Sequence, residues 1–146
     1  MNRWLLLAGT LSAAASLLHL GVIVGGPAWY RFFGAGESMA RMAERGDPTA
    51  ALITVGIAAV LAVWAAYAFS GAGLIPRMPL LRTGLVVITG IYLLRGLVLI
   101  PAIALHPQGA GITPFVWWSS LIVLAYGLVH AIGTWTAWSA LSPARG

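Results

Sequence analysis

Arg95 lies inside an apolar stretch that runs from Leu80 to Pro101. A charge at bilayer depth is costly, so an intramembrane arginine faces a helical interior, a carboxylate or water, or, as the nearness of Pro101 would allow here, snorkels to the headgroup layer. Chemically, such a guanidinium can hold an anionic or carbonyl oxygen through its planar fork of N–H donors. Two other titratable residues could work with it. His19, in the first apolar stretch, suits general acid–base work near neutral pH. Glu37, in the loop that follows, could orient or neutralise either of them. His19, Glu37 and Arg95 are therefore the candidate catalytic residues, and Trp29, Tyr30, Arg41, Tyr92 and Tyr126 the candidate ligand contacts. Phe32, Phe33, Met39 and Met42 would supply an adaptable apolar rim.

Helical spacing places these groups on faces. Gly9, Ser12, Ser16 and His19 share one face of a first helix, Thr89, Tyr92 and Arg95 one face of a third, and Ser119, Tyr126, His130 and Gly133 one face of a fourth. Ala58, Ala62 and Ala66 of the second read as a close-packing face. At the helical rise, His19 and Arg95 come out about 22 Å above the end that holds the termini, and Tyr126 about 18 Å. Ser12, Thr89 and His130 form a lower layer at about 12–14 Å. A dipping loop would carry Glu37 to Arg95, and His130 is expected to be structural, bonded to Ser12, Thr89 or a backbone carbonyl.

Several chemistries fail on residue type or spacing. There is no cysteine, which removes thiolate catalysis, disulfides, iron–sulfur clusters and Cys-based zinc sites. His19 and His130 differ in depth by about 10 Å, too far for paired haem ligation, and the third histidine, His106, lies in the last loop. No HxxxH or HExxH spacing suggests a metal, so no metal site is expected and no cofactor is indicated. The four apolar stretches hold no Asp or Glu, against what proton-coupled exporters usually need. No stretch carries a recognisable family motif.

The elements that must position these residues follow from composition. Of 146 residues 60% are hydrophobic and 8% charged, the balance of a membrane protein rather than a soluble domain. Four apolar segments, about Trp4–Gly26, Ala50–Phe69, Leu80–Pro101 and Phe115–Trp138, each approach the roughly 20 residues that cross a bilayer. The first continues well past a signal-peptide core and is read as a retained span. Gly25-Gly26-Pro27 should stop it, Asp47-Pro48 and Thr113-Pro114 should start the second and fourth, and Pro101 should close the third. Between the first two, Glu37, Arg41 and Glu44 recur at i, i+4 and i+7, which predicts a short amphipathic helix lying on or dipping into the membrane surface. The expected fold is all-α, one four-helix membrane bundle with that extra surface helix.

All eight basic residues are arginine, dispersed rather than clustered, so the net charge of +5 does not indicate nucleic-acid binding and matches a bacterial coding bias. Arg3, Arg77, Arg82 and Arg145 against Arg31, Arg41 and Arg45 favours cytoplasmic termini in a bacterial inner membrane. Trp29, Tyr30, Trp117 and Trp118 should form one aromatic belt and Trp4, Trp64, Tyr67, Trp135 and Trp138 the other. The functional expectation is an intramembrane polar site that binds, and could convert, a lipid-like or amphipathic small molecule. The partners would be membrane lipid and that molecule. The alternatives are a small transporter or channel subunit, for which a homo-oligomer is expected, and an accessory subunit of a larger membrane complex.

Overall fold

The computed structural model describes residues 1–98, 100–101, 105 and 114–142. The expectations that rest on His106, Thr113 and Arg145 lie outside them. The described residues form five helices and no strand: α1 Arg3–Phe32, α2 Glu37–Glu44, α3 Thr49–Ala72, α4 Leu81–Leu97 and α5 Pro114–Thr136. Three of them, α1, α3 and α5, are long and apolar enough to cross a membrane. Their outward positions are large and apolar, with Leu17 and Leu52 each 68% exposed and Trp135 83%. Contiguous apolar surface of this kind marks contact with lipid or with another protein.

Local chemistry explains where the helices begin and bend. Asn2 caps α1, its Oδ1 accepting from the Leu5 N–H at 3.0 Å, and Asp47 Oδ1 accepts from the Thr49 N–H at 2.9 Å ahead of α3. The expected stop at Gly25-Gly26-Pro27 is instead a kink. Gly26 sits at φ 67°, ψ −153°, outside helical space, and Pro27 begins a further helical stretch that runs to Phe32. A proline fits the first turn of a helix, where its missing N–H costs nothing, so the same residues that end one helical segment start the next.

The chain divides into two compact units, Met1–Leu11 with Trp64–Gly146, and Ser12–Val63. In the second of these, Val22, Tyr30, Ala40 and Ala50 form a core on which Phe33, Met39, Met42 and Ala43 pack. The apolar side of α2 is therefore covered by α1 and α3 of its own unit, and Ala40 is fully buried. Protein side chains satisfy the apolar face, leaving Glu37, Arg41 and Glu44 outward. Tyr30, expected in an aromatic belt, is a core residue, 2% exposed, with its hydroxyl 3.1 Å from Thr54 Oγ1. Ser16 Oγ donates to the Ala58 carbonyl at 2.7 Å, tying α1 to α3.

In the other unit the core is Leu5, Ala8, Ala68, Ala72, Leu81, Leu85, Ala137 and Leu141. The start of α1 meets the end of α3 through Asn2 N–H to the Ala72 carbonyl, and meets the end of α5 through Asn2 Nδ2 to Thr136 Oγ1 at 3.0 Å. Helices α4 and α5 approach each other closely. A Cβ on Gly96 would lie 2.6 Å from Leu124 Cα, and one on Gly127 2.9 Å from the Leu93 nitrogen. Each helix thus presents a glycine to the other's backbone, the small-residue packing that apolar helices use to approach closely.

Candidate binding site

The α4–α5 seam holds the buried Thr89, Tyr92, Ser120, His130 and Thr134. Tyr92 of α4, 5% exposed, packs its ring edge-on against Tyr126 at 5.7 Å and against Trp64 of α3 at 4.9 Å. The His130 ring lies 4.9 Å from the Tyr92 ring. Two of the three tyrosines expected to contact a ligand, Tyr92 and Tyr126, are therefore brought together, and Trp64, expected at a membrane edge, joins them. His130 is fully buried, and its Nδ1 is 2.9 Å from the Tyr126 carbonyl one turn back. The partner is a carbonyl of its own helix, one turn from the depth at which Ser12, Thr89 or a backbone carbonyl is expected to bond it. Its Nε2 and the hydroxyl of Thr134, the next turn along, are buried without a hydrogen-bond partner among the described residues.

Arg95 occupies the last turn of α4, a position that favours a cation because the helix carbonyl end carries partial negative charge. It is exposed, and its Nη1 donates to Ser120 Oγ of α5 at 3.3 Å. This replaces the expected carboxylate partner with a neutral one. No Asp or Glu occurs anywhere in the unit to which Arg95 belongs. The three carboxylates are engaged within the other unit. Glu37 receives Arg31 at 2.9 Å and Arg41 at 3.1 Å, Glu44 receives Arg31 at 2.7 Å, and Asp47 is bonded to Thr49. The hydrogen bonds from Arg31 and then Arg41 hold the Glu37 carboxyl well below the usual carboxylate range, at about 2. Asp47 is likewise lowered, by its hydrogen bonds to Thr49.

The remaining expected site residues have local roles in that second unit. His19 is half-buried with Nδ1 2.8 Å from the Ala15 carbonyl, so one ring nitrogen is committed to its own helix. Arg41 and Tyr30 serve the ion network and the core. Trp29 covers Gly25, where an added Cβ would come within 2.1 Å of its ring, and it packs on Phe33 at 5.7 Å.

Two positions escaped the sequence reading. Ser120, fully buried, takes the place given to Ser119, whose hydroxyl turns back to the Val116 carbonyl. Counting three and four residues back from His130 would have found it, since Gly127 and Ser120 lie seven residues apart on the buried side of α5. In α3 the buried face runs through Ala50, Thr54, Ala58, Leu61, Ala65, Ala68 and Ala72, with neither Ala62 nor Ala66 buried. Steps of four drift by about 40° each, whereas alternating threes and fours stay on one face. Comparison of the chain with protein-family models, with characterised proteins and with solved structures gives no match. The geometry carries the functional argument by itself.

Proposed function

We propose that the protein is a four-span inner-membrane bundle with cytoplasmic termini, and that it binds a lipid-like amphipathic molecule along the α4–α5 seam. In this reading α4, whose 17 residues rise about 25 Å, is the fourth crossing. Arg95 holds an anionic or carbonyl oxygen of the ligand's head, Ser120 sets the direction of the guanidinium, and Tyr126 and the exposed apolar surface beside it receive the tail. One observation carries the proposal. An exposed guanidinium at the end of an apolar helix is bonded to a neutral hydroxyl in a unit that has no acidic residue, so its countercharge must come from outside that unit.

The test is purification of wild type, Arg95→Ala and Arg95→Lys in mild detergent, followed by mass spectrometry of extracted small molecules. The expected result is an amphipathic molecule with wild type that is lost with Arg95→Ala and reduced with Arg95→Lys, because an ammonium lacks the planar fork. Equal retention by all three proteins, or no co-purifying molecule with any of them, would overturn the proposal. The absence of native cysteine makes topology directly measurable. Single cysteines at Ser142 and at Asn2 should be labelled from the same side of the membrane, and one at Ser38 from the other.

A further inference from the structure

Opposite the seam's Arg95 end, the unit formed by Met1–Leu11 and Trp64–Gly146 holds a hollow lined by Arg77. The unit has no Asp or Glu. The start of α1, the end of α3, the α3–α4 connection and the turn after α5 enclose a depression of about 550 Å³, whose polar lining is Asn2, Ser70, Arg77 and Thr136. The wall is built rather than loose. Ser70 Oγ donates to the Pro76 carbonyl at 3.0 Å and accepts from the Met78 N–H at 2.9 Å, which folds the connection back over α3. Arg77 donates to the Ala140 carbonyl at 3.3 Å and to the Leu141 carbonyl, offsetting the negative end of α5. Arg82 stands 3.4 Å over the Trp138 ring and donates to Ser142 Oγ at 3.2 Å.

We infer that this hollow is a binding site for the headgroup of an anionic phospholipid, with Arg77, the arginine of its lining, on the phosphodiester and Arg82, which follows the lining residue Leu81 in the chain, adding positive charge beside it. Among the described residues both arginines use neutral acceptors, carbonyls and a hydroxyl, and no Asp or Glu belongs to their unit. Asn2 and Thr136 offer hydrogen bonds to headgroup hydroxyls. The chain beside the lining is apolar and exposed, with Leu74 at 53%, Leu80 at 79% and Trp138 at 43%. A free phosphate would gain nothing from that surface, whereas acyl chains would cover it, and tryptophan beside arginine suits the headgroup level of a bilayer. The inference does not depend on the Arg95 reading, because the two groups of residues belong to opposite ends of α4.

The experiment uses the full chain in detergent with three probes: short-chain phosphatidylglycerol, short-chain phosphatidylcholine and inorganic phosphate. Native mass spectrometry reads affinity and thermal unfolding reads stabilisation. Phosphatidylglycerol should bind more tightly and raise the midpoint more than phosphatidylcholine, with inorganic phosphate ineffective. Arg82→Gln should weaken phosphatidylglycerol binding about fivefold, the factor expected for one basic residue at an anionic surface. Since that variant also removes a stacking contact, Ala140→Phe provides an independent test by filling the hollow from an exposed lining position without altering any charge. It should abolish the preference. Equal binding of the two lipids, stabilisation by inorganic phosphate alone, or an undiminished preference in Ala140→Phe would each overturn the inference.

Discussion

Ser120 Oγ accepts from Arg95 Nη1 at 3.3 Å, joining a fully buried hydroxyl on α5 to an exposed guanidinium in the last turn of α4. The bond holds one nitrogen of the guanidinium against α5. Ser120→Ala should therefore lower stability by only about 1 kcal/mol, the net worth of one such bond, while releasing Arg95. If the guanidinium is an anchor, the same change should weaken retention of the co-purifying molecule more than it lowers the unfolding midpoint. Ligand recovery measured beside thermal unfolding separates the two effects.

The glycines at the α4–α5 crossing should tolerate no side chain. Gly96→Ala places a Cβ 2.6 Å from the Leu124 Cα, and Gly127→Ala places one 2.9 Å from the Leu93 nitrogen, contacts that only backbone movement can relieve. Each should destabilise by about 1–3 kcal/mol, the usual cost of overpacking. Gly90→Ala, with nothing within 4 Å of the added carbon, should be neutral or stabilising. Thermal unfolding of the three variants checks the expectation, and equal effects would contradict this crossing geometry.

Thr134 offers a test of the orphaned polar pair. Its hydroxyl is buried without a partner among the described residues, so Thr134→Val removes an unsatisfied group while nearly preserving shape. The midpoint should rise, by an amount corresponding to roughly 1–3 kcal/mol of desolvation no longer incurred. A fall would show that the hydroxyl is satisfied in the membrane.

The Glu37 network sets an acid limit. Arg31 and Arg41 hold the folded-state pKa of Glu37 at about 2, below the ordinary 4.5 of the unfolded chain. The unfolded state therefore takes up the proton first as the pH falls. The stabilisation is complete above about pH 4.5 and is lost as the pH drops towards 2. The pair is exposed, so the effect should be small and should shrink in high salt. Unfolding midpoints of wild type and Glu37→Gln should differ at pH 6 and converge near pH 2.5.

Composition and apolar run length alone pointed to helices long and apolar enough to span a membrane, because hydrocarbon leaves backbone polar groups few ways to be satisfied, and the described residues are helical with no strand. Asp47-Pro48 and the Glu37, Arg41, Glu44 spacing located the start of α3 and the helix α2 from local chemistry that needs no distant partner. Tertiary structure decided which side of each helix faces inward. The one-residue difference between Ser119 and Ser120 turns a side chain through about 100°, and in a helix apolar on all sides hydropathy supplies no phase. Pairing was equally out of reach. Glu37 could be drawn to any arginine, and the short Gly34 to Gly36 turn brought it to Arg31 and Arg41, while Arg95 found a hydroxyl. Charge identifies which residues need partners, but only the packing of helix against helix decides which partner comes within reach.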